Sequence, residues 1–177
     1  GAKALAAALS EGGVKPEQVS ELIMGNVVSA GIGQAPARQA GIGAGLPASV
    51  GATTVNKVCG SGLKAVMLGA QSILLGDSSL VAAGGMESMS KAPFLLEKAR
   101  SGYRLGHGRL VDSIICDGLW DPYGDIHMGI CGELCAEKEG IGRSEHDEFA
   151  LLSYERARAA QASGAFDREI VPVEVPG

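Results

Sequence analysis

Large rings are scarce in this chain: aromatics make up 4% of its 177 residues, while glycine takes 27 positions. A chain built from so many small residues turns tightly and packs its backbone closely, as α/β enzymes do at Gly-rich strand–helix junctions. Basic residues are also in deficit, with 15 Lys and Arg against 20 Asp and Glu and a net charge of −5. No basic face large enough to neutralise a phosphate backbone is evident, so a nucleic-acid partner is not expected. No uninterrupted apolar run reaches the 18 or so residues that span a bilayer, and no membrane partner is expected. The four cysteines (Cys59, Cys116, Cys131, Cys135) are too sparse for a disulfide scaffold. They suit a reducing compartment, where a thiol is either inert packing or a reagent. Repeats at solenoid spacing and low-complexity tracts are missing as well. What is present, 46% hydrophobic and 20% charged residues, is ordinary globular composition that can bury the core of one domain with a sizeable appendage.

Strands and helices alternate through the first half. Residues 2–11 form an Ala-rich helix stopped by Gly12 and Gly13. Residues 21–27 read as a buried strand, and 37–45 as a helix ended by Pro47. Residues 53–58 are β-branched and strand-like. The next helix carries Leu63, Val66, Met67, Ala70, Ile73 and Leu74 at a 3.6-residue period. Ala65 and Leu68 extend its apolar surface round most of the cylinder, which predicts a buried helix. Gly76 ends it, and residues 79–83 make a further strand. This alternation implies an α/β fold with a mostly parallel or mixed sheet and helices on both faces.

After residue 86 the pattern changes. Residues 91–110 hold five basic side chains against Glu97 alone, and 112–148 are acidic. A long helix is expected from Ser144, capped by its hydroxyl with Asp147 in the reciprocal position. Residues 169–175 close the chain as an extended segment. The expected organisation is therefore a core domain over 1–86 and an α+β loop domain over 87–177.

Chemistry concentrates at Cys59-Gly60-Ser61-Gly62, where the strand over 53–58 turns into the apolar helix. A thiol at a helix N-terminus meets unpaired backbone N–H groups and the positive end of the helix dipole, both of which favour a thiolate. The flanking glycines let a substrate approach the backbone, and the Cys59 amide can donate to an oxyanion forming on an acyl carbon. An arbitrary cysteine at a turn is more often packing. The strand–Cys-Gly-Ser-Gly–helix context makes Cys59 a candidate nucleophile.

The run Val55-Asn56-Lys57-Val58-Cys59-Gly60-Ser61-Gly62-Leu63-Lys64-Ala65 resembles the nucleophile motif of thiolases. Val81 to Ser90 is similar to that family's Ala-Gly-Gly-Met-Glu-Ser-Met-Ser run. Asp117-Gly118-Leu119, His127-Met128-Gly129 and Glu169 to Val173 follow in matching order, so the resemblance covers essentially the whole chain. It implies an acyltransferase that condenses two acetyl-CoA to acetoacetyl-CoA and CoA, and catalyses the reverse thiolysis, through an acetyl group carried on Cys59. It places Leu119, His127 and Met128 against the pantetheine and acyl portions of coenzyme A, with Met128 a soft, adaptable wall. A His-Met pair goes with acetyl-CoA specificity; a 3-ketoacyl-CoA thiolase of fatty-acid oxidation and a non-catalytic binding relative are the alternatives. No cofactor is implied beyond coenzyme A as part of the substrate. Partners implied are acyl-CoA and further copies of the chain in a dimer or tetramer, the basic loop over 91–109 serving assembly.

Other signals carry less. His127, Cys131 and Cys135 recur every four residues, but three ligands on one helix rarely close a tetrahedral site, so no metal is expected. Gly43 to Ala48 fits G-x-G-x-x-A, yet Pro47 stands where a cofactor-binding helix would open. The chain begins inside a helical pattern without an initiator Met, which reads as an interior start. The expected setting is cytoplasmic, with a mitochondrial or peroxisomal one left open. Neither the Gly-His-Pro histidine nor the Asn-Glu-Ala-His-Pro motif of complete thiolases lies in residues 1–177, and the family's second cysteine is likewise expected further on. The isolated polypeptide is accordingly expected to be inactive, with steady-state thiolysis at background; turnover comparable to that of whole thiolases would contradict this.

Overall fold

After Glu21, the segment Leu22-Ile23-Met24-Gly25 carries no polar side chain, and such a strand is stable only when both of its faces are covered. The computed structural model, which describes residues 1–175, buries Leu22, Ile23 and Met24 together. They belong to β1 (Glu21–Gly25), the centre of a three-stranded parallel sheet. One neighbour is β2 (Gly51–Val55), with Glu21 opposite Gly51; the other is β3 (Val81–Gly85), with Glu21 opposite Val81.

The two-residue period of β1 sends Leu22 and Met24 to one face and Ile23 and Gly25 to the other. On the first face, α1 (Ala2–Glu11) and α2 (Pro36–Gly43) close a core of Leu5, Leu9, Val19, Leu22, Met24, Ala37, Leu46 and Val50. Leu5 and Leu9 sit four apart and so share the inward stripe of α1. On the second face α3 (Ser61–Leu75) lies against β1 and β3. Helices thus cover both faces of a parallel sheet, as the alternation of elements implied.

The surface of α3 departs from expectation. Its buried residues are Ser61, Ala65 and Gly69, a stripe of small side chains four apart. Leu63, Val66, Met67, Leu74 and Leu75 are exposed. A single sheet covers only one stripe of a helix, and among the described residues nothing lies over the rest. The segment Val58–Leu75 is apolar enough by composition for a membrane span. However, α3 itself has 15 residues, about 22 Å of rise against the roughly 30 Å of a bilayer core. Its small-residue stripe is engaged by the sheet.

Two short strands, β4 (Phe94–Leu95) and β5 (Val111–Asp112), pair antiparallel at the base of the basic loop. Ser113, fully buried, donates its hydroxyl proton to the Pro93 carbonyl at 2.6 Å. A π-helical turn follows at Ile115–Leu119. Two compact units result, Gly1–Leu119 and a second beginning at Trp120. Residues 87–119 pack back on the exit of β1: the Glu87 carboxylate accepts the Val27 and Val28 amides, and Gly118 lies beside Val28.

In the second unit, β6 (Trp120–Asp121) and β7 (Ile126–His127) form a hairpin whose turn is held by Asp121, which accepts the amides of Tyr123 and Gly124. Then come α4 (Met128–Glu139) and α5 (Arg143–Ala162). Ser144 is not the cap of α5. The helix starts one residue earlier, Gly142 is the N-cap, and Glu145 accepts its amide at 2.8 Å; the Ser144 hydroxyl instead meets Glu148 four residues on. Residues 170–175 pair with no strand among the described residues.

A Cβ built at Gly25 would stand 2.6 Å from both the Gly62 nitrogen and the Ser61 carbonyl carbon, and one at Gly69 would stand 2.9 Å from a Val81 methyl. Backbone cannot yield as a side chain can. Gly25→Ala should destabilise the chain by about 3 kcal/mol or more. Gly69→Ala should destabilise less, by about 1 kcal/mol, because the stiff Val81 side chain must shift while helix propensity offsets part of the overpacking. Urea unfolding midpoints of the two variants would reverse in order if this were wrong.

Candidate active site

After Val55 the chain leaves the ladder of β2 and turns into α3 within five residues. Val58, at the top of this turn, has φ +47°, a left-handed conformation that costs a β-branched residue on the order of 1–3 kcal/mol. Hydrogen bonds hold it there. The Val58 amide donates to Asn56 Oδ1 at 2.9 Å, an Asx-type turn. The Ser61 hydroxyl donates to the Val58 carbonyl at 2.6 Å and accepts the Lys57 amide at 2.8 Å. Backbone bonds from Gly60 to Lys57 and from Ser61 to Val58 tighten the turn further. Ser61 is buried against Gly25, so the staple stands on the sheet itself.

Cys59 follows Val58 directly and is exposed as a free thiol. It precedes Gly60, the N-cap of α3. The first bond into the helix runs from the Lys64 amide to the Gly60 carbonyl at 2.9 Å, which leaves the Gly62 and Leu63 amides ahead of it without intrahelical acceptors. The Cys59 amide has no backbone acceptor among the described residues. Thiol and free amides thus gather at one helix end, where a developing negative charge is favoured.

Cys59 lines a cavity of about 490 Å³ within the first unit, in the size range of small-molecule sites. It opens beyond the carboxyl ends of β1 and β3, where open α/β sheets take ligands. Val27 and Val28 form one wall, Met86 and Met89 another, and Ile114 with Gly118 and Leu119 of the π-helical turn that follows it a third. The walls are mostly apolar. Glu87, also on the wall, is spent on the Val27 and Val28 amides, and buried Asn26 donates to the Met86 carbonyl at 2.9 Å. These contacts fix the two strand exits relative to each other.

Of the residues singled out from sequence, Cys59 and Leu119 share this cavity. His127 and Met128 belong to the second unit. There His127 is the N-cap of α4, its Nδ1 accepting the Gly129 amide at 2.9 Å; in the neutral ring the proton is then on Nε2. As a cap, His127 stands outside the helix that carries Cys131 and Cys135, so the three do not share a helical face. Among the described residues no group of three or more His, Cys, Asp or Glu is placed to hold a metal ion. Sequence reasoning missed Asn56, Ser61 and Glu87. Asn two residues before a turn was the available signal for the first; Ser61 bonds back to Lys57 and Val58 within four residues, while Glu87 acts through a long-range contact that leaves no local pattern.

Comparison with known proteins agrees with this geometry. The family model described as the N-terminal domain of thiolase matches residues 1–177. The chain is 59% identical over 176 residues to an acetyl-CoA acetyltransferase of Cupriavidus necator, covering 99% of itself and 45% of that protein. It is 59% identical over 177 residues to acetyl-CoA acetyltransferase 2 of Arabidopsis thaliana, covering all of itself and 44% of the relative. Its structure is similar to that of the Acat5 thiolase from Ascaris suum, solved in complex with coenzyme A, with a TM-score of 0.93 at 39% identity over 98% of this chain and 46% of the other. The chain thus spans a little under half the length of these relatives.

Near the cavity, Cys116 lies in the π-helical turn. Its thiol is pushed above the ordinary range by partial desolvation, and further by the hydrogen bond and charge of Asp117 and the charge of Glu97, with Arg109 opposing. Less of it is thiolate at a given pH than of an unperturbed thiol. Asp117→Asn, by lowering the Cys116 pKa, should therefore speed the labelling of Cys116 by iodoacetamide at pH 8 relative to the unchanged chain. Labelling of Cys116 that is indifferent to Asp117→Asn would refute the assignment.

Proposed function

Because this chain belongs to the thiolase family over its whole length, we propose that it carries the nucleophile of a Claisen-type acyl transfer between coenzyme A thioesters. Cys59 attacks the carbonyl carbon of acetyl-CoA; a new carbon–sulfur bond forms, the tetrahedral oxyanion collapses, and coenzyme A leaves as its thiolate. The α-carbon of a second acetyl-CoA, having lost a proton, then attacks the acetyl carbon. Cys59 departs, and acetoacetyl-CoA is released. In the thiolysis direction the same steps run backwards. Splitting one carbon–carbon bond formation into two transfers lowers each barrier. The Cys59 amide and the first amides of α3 supply donors for the oxyanion.

The observation that carries this reading is the exposed Cys59 thiol at the tip of a pinned turn, at the mouth of an apolar cavity beyond the carboxyl ends of β1 and β3. Leu119 on that cavity suits the apolar part of a pantetheine arm. The names of the acetyltransferase relatives and the His127-Met128 pair support acetyl as the acyl group, with no cofactor besides coenzyme A as part of the substrate. The proton-moving histidine and second cysteine of the family are proposed to come from outside residues 1–177. The basic loop between β4 and β5 is proposed to serve assembly into a dimer or tetramer, in a cytoplasmic setting.

Incubating the chain with acetyl-CoA should leave one acetyl group on Cys59, located by peptide mass mapping and absent in Cys59→Ala. An acetyl group on another cysteine, or equal acetylation of Cys59→Ala, would overturn the reading.

A further inference from the structure

The turn that presents Cys59 is held by Asn56, which does not line the cavity, and by Ser61, which is buried beneath the turn at the cavity's edge. Val58 is the strained residue, and its left-handed φ of +47° sets the direction in which the next residue leaves. Were Val58 to relax to the extended region that β-branched residues prefer, the Val58–Cys59 peptide would rotate. The Cys59 amide and thiol would then swing away from the start of α3. Two side chains oppose that relaxation. Asn56 Oδ1 takes the Val58 amide at 2.9 Å, and Ser61 Oγ takes the Lys57 amide at 2.8 Å while donating to the Val58 carbonyl at 2.6 Å. Ser61 itself cannot shift, since Gly25 leaves no space behind it.

We propose that Ser61 and Asn56 are positioning residues for Cys59: they hold Val58 left-handed and so aim the thiol and its amide into the cavity. The inference rests on reading Cys59 as the nucleophile. It makes a demand that ordinary structural support does not. Glycine adopts a positive φ without strain, so Val58→Gly should lessen the need for the hydrogen bonds and rescue their loss.

The test measures alkylation of each cysteine in the full chain by excess iodoacetamide, with rate constants read by peptide mapping on the pH plateau. S61A is expected to slow Cys59 about tenfold, the rate equivalent of about 1.4 kcal/mol, roughly one hydrogen bond. N56A should act in the same direction, and because the Asn56 side chain is exposed it tests the idea without touching the core. Cys135 should keep its rate in both. V58G combined with S61A, and with N56A, should return Cys59 to within about threefold of the wild-type rate. Wild-type rates in S61A and N56A, or variants that V58G does not restore, would overturn the proposal and leave the nucleophile standing. A wild-type Cys59 no faster than Cys135 would instead sink the nucleophile reading itself.

Discussion

At the end of β1, Gly25 lets the backbone of Ser61 and Gly62 lie where any side chain would otherwise stand. Helix and strand meet there at backbone distance, and the meeting point fixes where α3 can begin. That in turn fixes how many residues remain to join Val55 to Ser61. Five residues must leave the ladder of β2, rise to the mouth of the cavity and enter a helix on the far face of the sheet. A relaxed chain does not make that reversal so quickly, and Val58 is left-handed as a consequence. The exposed thiol at Cys59 is the outcome of a packing constraint at the end of β1, with β2 lying between the two in sequence.

The same constraint accounts for α3. Its contact stripe of Ser61, Ala65 and Gly69 is made of small residues because larger ones would lift the helix start away from Gly25 and Gly85. The apolar periodicity visible in the sequence, Leu63 through Leu74, is real but lies on other faces of the cylinder. Periodicity reports that a helix has apolar surface and does not say which neighbour covers it. Small residues carry little hydrophobic signal, so the stripe that touches the sheet is the part a hydrophobic pattern reads least well. This is why the helix was legible and its burial was not.

Other parts divide along the same line. The strand at β1 and the placement of Cys59 at a helix start were legible because their signals are local: an apolar run, and a cysteine between a strand and a Gly-Ser-Gly helix start. Ser144 was misplaced as a cap because two capping patterns lie two residues apart and overlap, and Glu145 can reach Gly142 as readily as Asp147 could reach Ser144. The packing of residues 87–119 against the exit of β1 was not legible, because Glu87 and Gly118 look like loop residues in sequence. Their partners, Val27 and Val28, lie about sixty and ninety positions away, and no local pattern encodes such a contact.

The two ends of the cavity then differ in kind. At Cys59 the backbone is strained and held by hydrogen bonds worth about 1 kcal/mol each, a sum comparable to the strain of Val58. At Leu119 the wall is a π-helical turn, a form that recurs where a helix must present a residue out of register. An acyl transfer needs its reacting atoms held closely, because small errors in approach are costly in rate. It also tolerates variation where only apolar surface is met. The distribution of order fits that division: hydrogen bonds and close backbone contact surround the thiol, while adaptable side chains such as Met86 and Met89 line the rest. Rigidity is concentrated at the thiol proposed to form the bond, and the remaining walls need only exclude water.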